Sequence, residues 1–463
     1  MSTPLDPVLE SIDTNLDNSV QRLCDLLRIR SISTDSAYND EMRKAADWLT
    51  TELSDIGFKA SVCPTSGHPM VMADSGEHAG PTVLYYGHYD VQPPDPLDLW
   101  ESKPFEPSIV PSNHGQKIVA RGAVDDKGQL MTFVEAFRAW NQVHGEFPFR
   151  IKILLEGEEE SGSPSLDPFL EAKKKELAAD VCIVCDTGMW DIDSPAITYQ
   201  LRGLVYTEIT LHGPSRDLHS GMYGGSLVNP LNALCRVMGE LIDENGVIQI
   251  PGFYDGIIPP GEDELASWRA LGFDEKVFLD EAGMKTPTGE KGYSTLERIW
   301  ARPTCDINGI YGGYTGEGAK TVIGSHATAK VSCRMVPGQD PQKVYAGIEQ
   351  FLQERTPPDC RWEINSHGLN PAIRVPTESP FLTGACQGLE RIYGKAPALI
   401  GTGGSIPVVG SFQEILGFDS ILIGFGLDDD CVHSPNEKFE MRCFHQGIRS
   451  HAAIMDALSG INP

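Results

Sequence analysis

The feature that most constrains this chain is the regular alternation of strand-like and helix-like segments between Thr82 and Asp186. TVLYYG, FRIKILLEG and DVCIVCD are short apolar runs typical of buried strands. GQLMTFVEAFRAW and LDPFLEAKKKELAA, which separate them, have the apolar spacing of helices, as do residues 8–29 before them. This order predicts an α/β fold with a mainly parallel sheet and helices on both faces.

Acidic and histidine residues follow each of these strands. GHYD comes at the end of the first strand, EGEEE at the end of the second and CDTG at the end of the third. In open α/β sheets the loops beyond the carboxyl ends of the strands hold the functional residues. Since the four carboxylates within the five residues of EGEEE repel one another unless cations lie between them, the motif predicts a metal site.

The chain offers donors for such a site at several strand ends. Hard or borderline divalent metal ions take carboxylate oxygen and imidazole nitrogen as ligands, and two such ions about 3.5 to 4 Å apart need a bridging carboxylate. Each donor taken singly has a structural alternative, such as a capped loop or a turn. His433 can join the others only if a C-terminal strand belongs to the same sheet. The candidate ligands are His88, Asp125, Glu160, Asp186 and His433.

Two neighbouring acidic residues are assigned other roles. Asp90 lies two residues after His88, within reach of the second imidazole N–H, and can fix the tautomer of that histidine. Glu159 cannot easily point the same way as Glu160. We therefore expect Glu159 to be the general base that accepts a proton from a metal-bridging water.

The pattern of apolar and polar residues changes near residue 201, from continuous apolar runs to alternation. VYTEITLHG, NPLNALCRVMGELI, KTVIGSHATAKVSCRMV, DPQKVYAGIEQFLQER and CRWEINSHG then give an α+β order that resembles a ferredoxin-like unit. With 463 residues the chain also exceeds the size at which single cores stop growing. We predict a catalytic domain of residues 1–201 and 381–463 with an inserted domain of residues 202–380.

Composition argues against several classes of protein. Acidic residues outnumber basic ones 65 to 37, for a net charge of -28. The sequence has no cluster of basic residues that would bind phosphate backbones, so nucleic acid is not expected as a partner. No apolar run is long enough to cross a membrane, and the N-terminus has no basic region followed by an apolar one. Eleven scattered cysteines, including the strand-like Cys182 and Cys185, favour buried thiols in a reducing cytoplasm.

Seven ordered motifs give the chain a resemblance to a known family. GHYDVQP, RGAVDDKG, EGEEESGS, the aspartate of VCDTG, DLHSG, GGSIPV and VHS resemble the carnosinase and cytosolic non-specific dipeptidase branch of the aminoacylase/glutamate carboxypeptidase metallopeptidase family. The resemblance spans nearly the whole chain. It implies a phosphorylase/hydrolase-like zinc-peptidase catalytic domain and an inserted lid through which two copies dimerise.

The resemblance also implies roles for individual residues. The five candidate ligands match the positions that hold two divalent ions, zinc or manganese, in each subunit, with Asp125 as the bridge. Glu159 matches the base, and the peptide between Asp125 and Asp126 is expected to be cis.

Further implied roles fall in the inserted domain and in the GGSIPV motif. His219 matches a lid histidine that reaches the partner's active site and stabilises the oxyanion, a role that the glycines beside it permit. Arg334 matches the residue that binds the terminal carboxylate of the substrate, for which a guanidinium fork is suited. The other implied substrate contacts are Thr321, His367 and Ser405.

These features together predict hydrolysis of the peptide bond of a dipeptide or short peptide with a free carboxyl end. Two alternatives stay open. One is an amidohydrolase that removes an acyl, succinyl or carbamoyl-type group from an N-acyl amino acid, and the other is a non-catalytic metal-binding scaffold. A serine nucleophile is disfavoured because the chain has no G-x-S-x-G elbow.

Overall fold

The computed structural model describes residues 4–404 and 406–461. In this part of the chain no helix combines the length and the apolar character that a membrane span requires. The helices are α1 (Leu5–Thr14), α2 (Leu16–Leu27), α3 (Asn39–Ile56), α4 (Lys127–His144), α5 (Leu166–Leu177), α6 (Ser220–Tyr223), α7 (Pro230–Gly239), α8 (Glu262–Ala270), α9 (Glu275–Glu281), α10 (Thr295–Trp300), α11 (Pro341–Gln353), α12 (Pro380–Tyr393), α13 (Pro407–Ser411) and α14 (Met441–Leu458). The strands are β1 (Lys59–Cys63), β2 (Met70–Asp74), β3 (Thr82–His88), β4 (Ser108–Ser112), β5 (Gly115–Val119), β6 (Arg150–Glu156), β7 (Val181–Cys185), β8 (Ala196–Leu201), β9 (Gly203–His212), β10 (Leu218–His219), β11 (Thr304–Gly312), β12 (Val322–Ile323), β13 (His326–Met335), β14 (Arg361–Asn370), β15 (Ile373–Arg374), β16 (Ala398–Thr402), β17 (Ser420–Ile423) and β18 (Lys438–Glu440).

The chain divides into two compact units. The first comprises Met1–Tyr199, Val375–Ile400 and Val408–Pro463, and the second comprises Gln200–Arg374 and Gly401–Pro407. The first unit is therefore discontinuous in sequence.

The main sheet of the first unit has the strand order β1-β2-β6-β3-β7-β17-β8. Its central neighbours, β6 with β3, β3 with β7 and β7 with β17, are parallel. The outer neighbours, β1 with β2, β2 with β6 and β17 with β8, are antiparallel. The predicted α/β fold is confirmed, with the parallel strands at the centre. β17 comes from the C-terminal part of the chain and lies between β7 and β8, which both precede the inserted second unit in the sequence.

The central strands are covered on both faces. Tyr85 and Tyr86 are successive residues of β3, so their side chains point to opposite faces, and each is 0% exposed. The ring of Tyr85 packs against Phe133 and Phe137 of α4. The ring of Tyr86 packs edge-on against Phe412, which follows α13. Burial of both faces explains why these strands read as continuous apolar runs.

The second unit is built around a four-stranded antiparallel sheet with the order β11-β13-β9-β14. Along the chain its elements follow as β9, α7, β11, β13, α11 and β14, which is the β-α-β-β-α-β order of a ferredoxin-like unit. Val205 and Ile209 of β9 are buried with Leu234 of α7 and Phe351 of α11 in one core cluster. Alternate residues of β9 are therefore buried against the helices, and the predicted ferredoxin-like arrangement is confirmed.

Candidate metal centre

The candidate ligands lie at or beyond the carboxyl ends of the central strands of the first unit. His88 is the last residue of β3, Glu160 follows β6 and Asp186 follows β7. Asp125 lies between β5 and α4, and His433 lies in the loop between β17 and β18. Because β17 pairs with β7 in parallel, the loop that carries His433 begins at the same edge of the sheet as the others.

The structure brings these five residues together in two groups that share Asp125. Donor atoms of His88, Asp125 and Asp186 lie within 4.8 Å of one another, and so do those of Asp125, Glu160 and His433. His88 Nε2 is 3.1 Å from Asp125 Oδ1, and His433 Nε2 is 2.9 Å from Asp125 Oδ2. The two oxygens of one carboxylate thus face two different histidines, which is the arrangement expected of a bridging ligand.

The donor set fits divalent cations. Mixed imidazole and carboxylate ligands suit zinc and manganese alike. Burial raises the pKa of Asp186 well above its usual range, and the charges of Asp125 and Glu159 raise it further, against the opposing effect of His88. This repulsion among carboxylates is what a bound cation would relieve.

The two histidines interact strongly with the same carboxylates. Burial acts to lower the pKa of His88, but hydrogen bonds with Asp125 and Asp90 raise it well above its usual value. Hydrogen bonds with Asp125 and Glu160 raise the pKa of His433 to about 10. A metal ion takes neutral imidazole and ionised carboxylate as ligands, so ion binding at these residues would release protons.

Asp90 supports both His88 and the turn that carries the glutamates. His88 Nδ1 lies 3.1 Å from the backbone oxygen of Asp90 and 3.4 Å from its Oδ1. The buried Asp90 carboxylate also accepts the backbone N–H groups of Glu159, at 3.3 Å, and of Glu160, at 3.0 Å. The spacing of GHYD points to the first contact, whereas no local pattern in the sequence indicates the second.

Glu159 lies beside the donor groups and, within residues 4–404 and 406–461, belongs to neither of them. Burial raises the pKa of its carboxyl to about 7, with Glu160 and Asp90 adding to the rise and His88 opposing it. A carboxylate that titrates near neutral pH can both accept and return a proton. Glu160 is instead oriented by Gln92, whose Nε2 donates to Glu160 Oε2 at 2.7 Å.

The peptide between Asp125 and Asp126 is cis, as the family resemblance implies. Asp126 is buried, and its Oδ2 accepts the backbone N–H of His88 at 3.0 Å. Two successive residues of one loop therefore contact His88. Asp125 contacts the imidazole Nε2 of His88, and Asp126 accepts the backbone N–H of His88.

In the second unit the structure brings together His219 and Thr321. His219 is paired with Val322 across the β10-β12 ladder, and the backbone oxygen of Thr321 accepts the N–H of Ser220 at 3.1 Å. The exposed His219 ring accepts the N–H of Gly221 at Nδ1, at 3.0 Å. The neutral ring therefore carries its proton on Nε2, where it is a hydrogen-bond donor.

Arg334 and His367 lie on the sheet of the second unit. Arg334 of β13 is opposite Leu204 of β9, on the side of the sheet away from α7 and α11. His367 lies at the irregularity between Ser366 and Gly368 in the β14-β9 ladder, and its ring centroid is 5.6 Å from that of Tyr206. Since residues two apart on a strand share a face, Tyr206 lies on the same face as Leu204. Ser405 lies outside the described residues.

Comparison with known proteins identifies the family. Residues 84–457 match Peptidase family M20/M25/M40. The chain is 31% identical over 483 residues to a Cys-Gly metallodipeptidase of Schizosaccharomyces pombe, with 100% of each chain covered. It is 30% identical over 470 residues to the Beta-Ala-His dipeptidase of Homo sapiens, which covers 97% of this chain and 92% of that protein. The solved structure of the di-peptidase Dug1p from Saccharomyces cerevisiae gives a TM-score of 0.86 at 29% identity, covering 100% of both chains. The resemblance inferred from the motifs is confirmed, and the chain belongs to Peptidase family M20/M25/M40.

Proposed function

We propose that this protein is a metallodipeptidase that hydrolyses dipeptides with a free carboxyl end. The observation that carries the proposal is the position of Asp125, whose two carboxylate oxygens face His88 and His433 between two groups of candidate ligands. Similarity to the Cys-Gly and Beta-Ala-His dipeptidases over nearly the whole chain supports the substrate class.

The five ligands would hold two divalent ions, zinc or manganese. His88 and Asp186 would bind one, Glu160 and His433 the other, and Asp125 both. When bound, such ions supply polarisation of the scissile carbonyl and a lowered pKa for the attacking water.

The protein's own residues would then move the proton and steady the developing charge. Glu159 accepts the proton of the attacking water and passes it to the leaving amine, for which a pKa of about 7 is suited. Asp90 holds the turn of Glu159 and the ring of His88. His219 donates its Nε2–H to the carbonyl oxygen as that oxygen becomes negative.

Recognition of the substrate's carboxyl end is assigned to the second unit. Arg334 would pair with the terminal carboxylate through two parallel N–H donors. The exposed His367 and Thr321 would add polar contacts, as would Ser405 in the GGSIPV motif.

We further propose that residues 1–201 and 381–463 form the catalytic domain and that residues 202–380 form a lid through which two copies associate. β11 is the end strand of its sheet and carries exposed apolar side chains, with Ile307 46%, Ile310 44% and Tyr311 47% exposed. An uncovered edge strand of this kind is suited to pairing with another chain.

The eleven cysteines are free thiols, which supports the assignment of the protein to the cytoplasm.

A substrate panel tests the proposed activity. Protein stripped with a chelator is reloaded separately with zinc and manganese and incubated with Cys-Gly, other dipeptides, β-alanyl-histidine and N-acetyl amino acids. Mass spectrometry then measures the free amino acids released. We expect metal-dependent cleavage of the dipeptides. Cleavage confined to the N-acetyl amino acids would overturn the dipeptidase assignment in favour of an amidohydrolase.

A further inference from the structure

A buried glutamate outside both groups of ligands holds the loop that carries Asp125. Glu437 is 0% exposed. Its Oε2 accepts Arg121 Nη1 at 2.7 Å and the N–H of Gly122 at 2.9 Å. Its Oε1 accepts the N–H of Val124 at 2.9 Å and of Asp125 at 3.1 Å. One side chain thus binds three backbone N–H groups of the loop, those of Gly122, Val124 and Asp125.

The four hydrogen bonds account for the acceptor capacity of this carboxylate. An ionised carboxylate has about four lone-pair positions, and here each oxygen receives two donors. Glu437 therefore has no free position with which to ligate a metal ion. Its charge is balanced by Arg121, which is 1% exposed and also donates to the backbone oxygen of Pro93 at 3.2 Å.

Glu437 also joins this loop to the loop that carries His433. Its own backbone oxygen accepts the N–H of Ala120 at 3.1 Å, and the next residue, Lys438, pairs with Val119 across the β18-β5 ladder. Lys438 Nζ in turn binds Asp430 Oδ1 at 2.6 Å and closes the base of the His433 loop. The two loops are therefore fastened to each other at the position of Glu437.

We propose that Glu437 is a positioning residue of the metal centre, which holds Asp125 in register with His433 and thereby sets the affinity for divalent ions. The inference rests on the proposed function, because it requires that Asp125 and His433 bind metal. Glu437 contacts neither ion in this scheme and acts only through the backbone of Asp125.

The test compares Glu437→Gln with a matched control, Glu135→Gln. Glu135 is a buried carboxylate that pairs with Arg22, at 2.5 Å, and with Ser19, so the control also removes the charge from a buried ion pair. Glu135 lies on α4 and makes none of the contacts to the Asp125 loop described for Glu437. Both variants are stripped of metal and titrated with manganese in competition with a chromophoric chelator, and their Tm values are measured in parallel.

We expect Glu437→Gln to bind manganese about 10- to 100-fold more weakly than the wild type, as loss of a residue that orients a ligand typically does. Its dipeptidase activity should recover as manganese is raised. Glu135→Gln should lose thermal stability and keep the wild-type manganese affinity. Glu437→Asp, which keeps the charge but withdraws the carboxylate by one methylene, should bind manganese more weakly as well.

Three results separate the possible failures. Wild-type affinity in a folded Glu437→Gln or Glu437→Asp variant overturns the positioning role. Failure of both variants to fold, while Glu135→Gln folds, also overturns it and makes Glu437 a folding residue. A wild-type protein that binds no manganese or zinc at all refutes the proposed function itself.

Discussion

His433 Nε2 lies 2.9 Å from Oδ2 of Asp125, although more than half of the chain separates the two residues in sequence. The contact exists because β17 pairs with β7 and brings the C-terminal loop to the edge of the sheet where Asp125 lies. His433 itself adopts a left-handed backbone conformation, with φ 59°, which is uncommon for residues other than glycine.

Replacement of the proposed base should stop catalysis and leave the metal in place. We expect Glu159→Ala to lower kcat by about 10²- to 10⁴-fold, because the variant has no group at this position to accept the proton of the attacking water. The metal content, measured by elemental analysis, should equal that of the wild type, since Glu159 belongs to neither group of ligands.

Glu176→Ala is the control for this experiment. Glu176 is an exposed residue of α5 that pairs with Lys173, and its replacement should leave kcat unchanged. Activity of Glu159→Ala within a few-fold of the wild type would show that another group is the base.

Arg334 should affect substrate binding more than the chemical step. Arg334→Lys keeps the positive charge and loses the paired N–H donors, and hydrogen bonds to charged groups contribute about 1.5 to 3 kcal/mol. We expect KM for a dipeptide to rise about 10- to 100-fold. Dipeptide amides, which have no terminal carboxylate, should be cleaved equally by the variant and the wild type. An equal loss on both substrates would contradict carboxylate recognition by Arg334.

The proposed sharing of the active site between two copies can be tested by mixing inactive variants. His219→Ala alone should lower kcat about 10²- to 10³-fold, as loss of an oxyanion donor does. When it is unfolded and refolded in equal amounts with Glu159→Ala, half of the dimers are hybrids and each hybrid has one intact shared site. Activity should therefore return to about a quarter of that of the wild type. Activity equal to the sum of the separate variants would show that each subunit uses its own His219.

A buried histidine that is assigned no part in the proposed chemistry should make stability depend on pH. His451 is 0% exposed and packs against Tyr85, Phe133 and Phe425. Burial lowers its pKa to about 3. Between about pH 3 and the ordinary histidine pKa of about 6.5, the unfolded chain therefore binds a proton that the folded chain does not. Proton binding by the unfolded chain therefore lowers the free energy of unfolding increasingly as the pH falls below about 6.5, and it has no effect above that pH.

His451→Leu removes the titrating group from this position. On metal-stripped protein, the Tm of the wild type should fall more steeply than that of His451→Leu between pH 7.5 and pH 5. The difference at pH 5 corresponds to about 2 kcal/mol. Parallel slopes for the two proteins would mean that His451 is protonated equally in the folded and unfolded states.

The sequence predicts the fold well where apolar spacing is clear and less well where side chains compete with the backbone. The continuous apolar runs of β3, β6 and β7 correspond to strands buried on both faces. The spacing of residues 8–29 predicts one helix, but the structure has two, α1 and α2, because the helix breaks at Asn15. Asn15 Nδ2 donates to the backbone oxygen of Ser11 at 2.8 Å, and such local bonds weaken a helix interior.

The candidate site shows a similar division. Residues that follow strands can be found from the sequence, because parallel strands place their carboxyl ends at one edge. The supporting contacts of Asp90 with the glutamate turn and of Glu437 with the Asp125 loop join segments distant in sequence. These contacts depend on which loops lie beside one another in the fold, and no local pattern of residue types indicates that arrangement.

The central position of β17 has a consequence for biosynthesis. While the ribosome is still producing the final segment of the protein, the nascent chain already contains β7 and β8 but not the strand that lies between them. Their unpaired N–H and C=O groups then form an open slot in the sheet, which can accept a strand from another molecule. We expect the emerging polypeptide to need protection by a chaperone until β17 fills that slot, whereas the ferredoxin-like unit, whose strands are contiguous in the translated sequence, can complete its own sheet earlier.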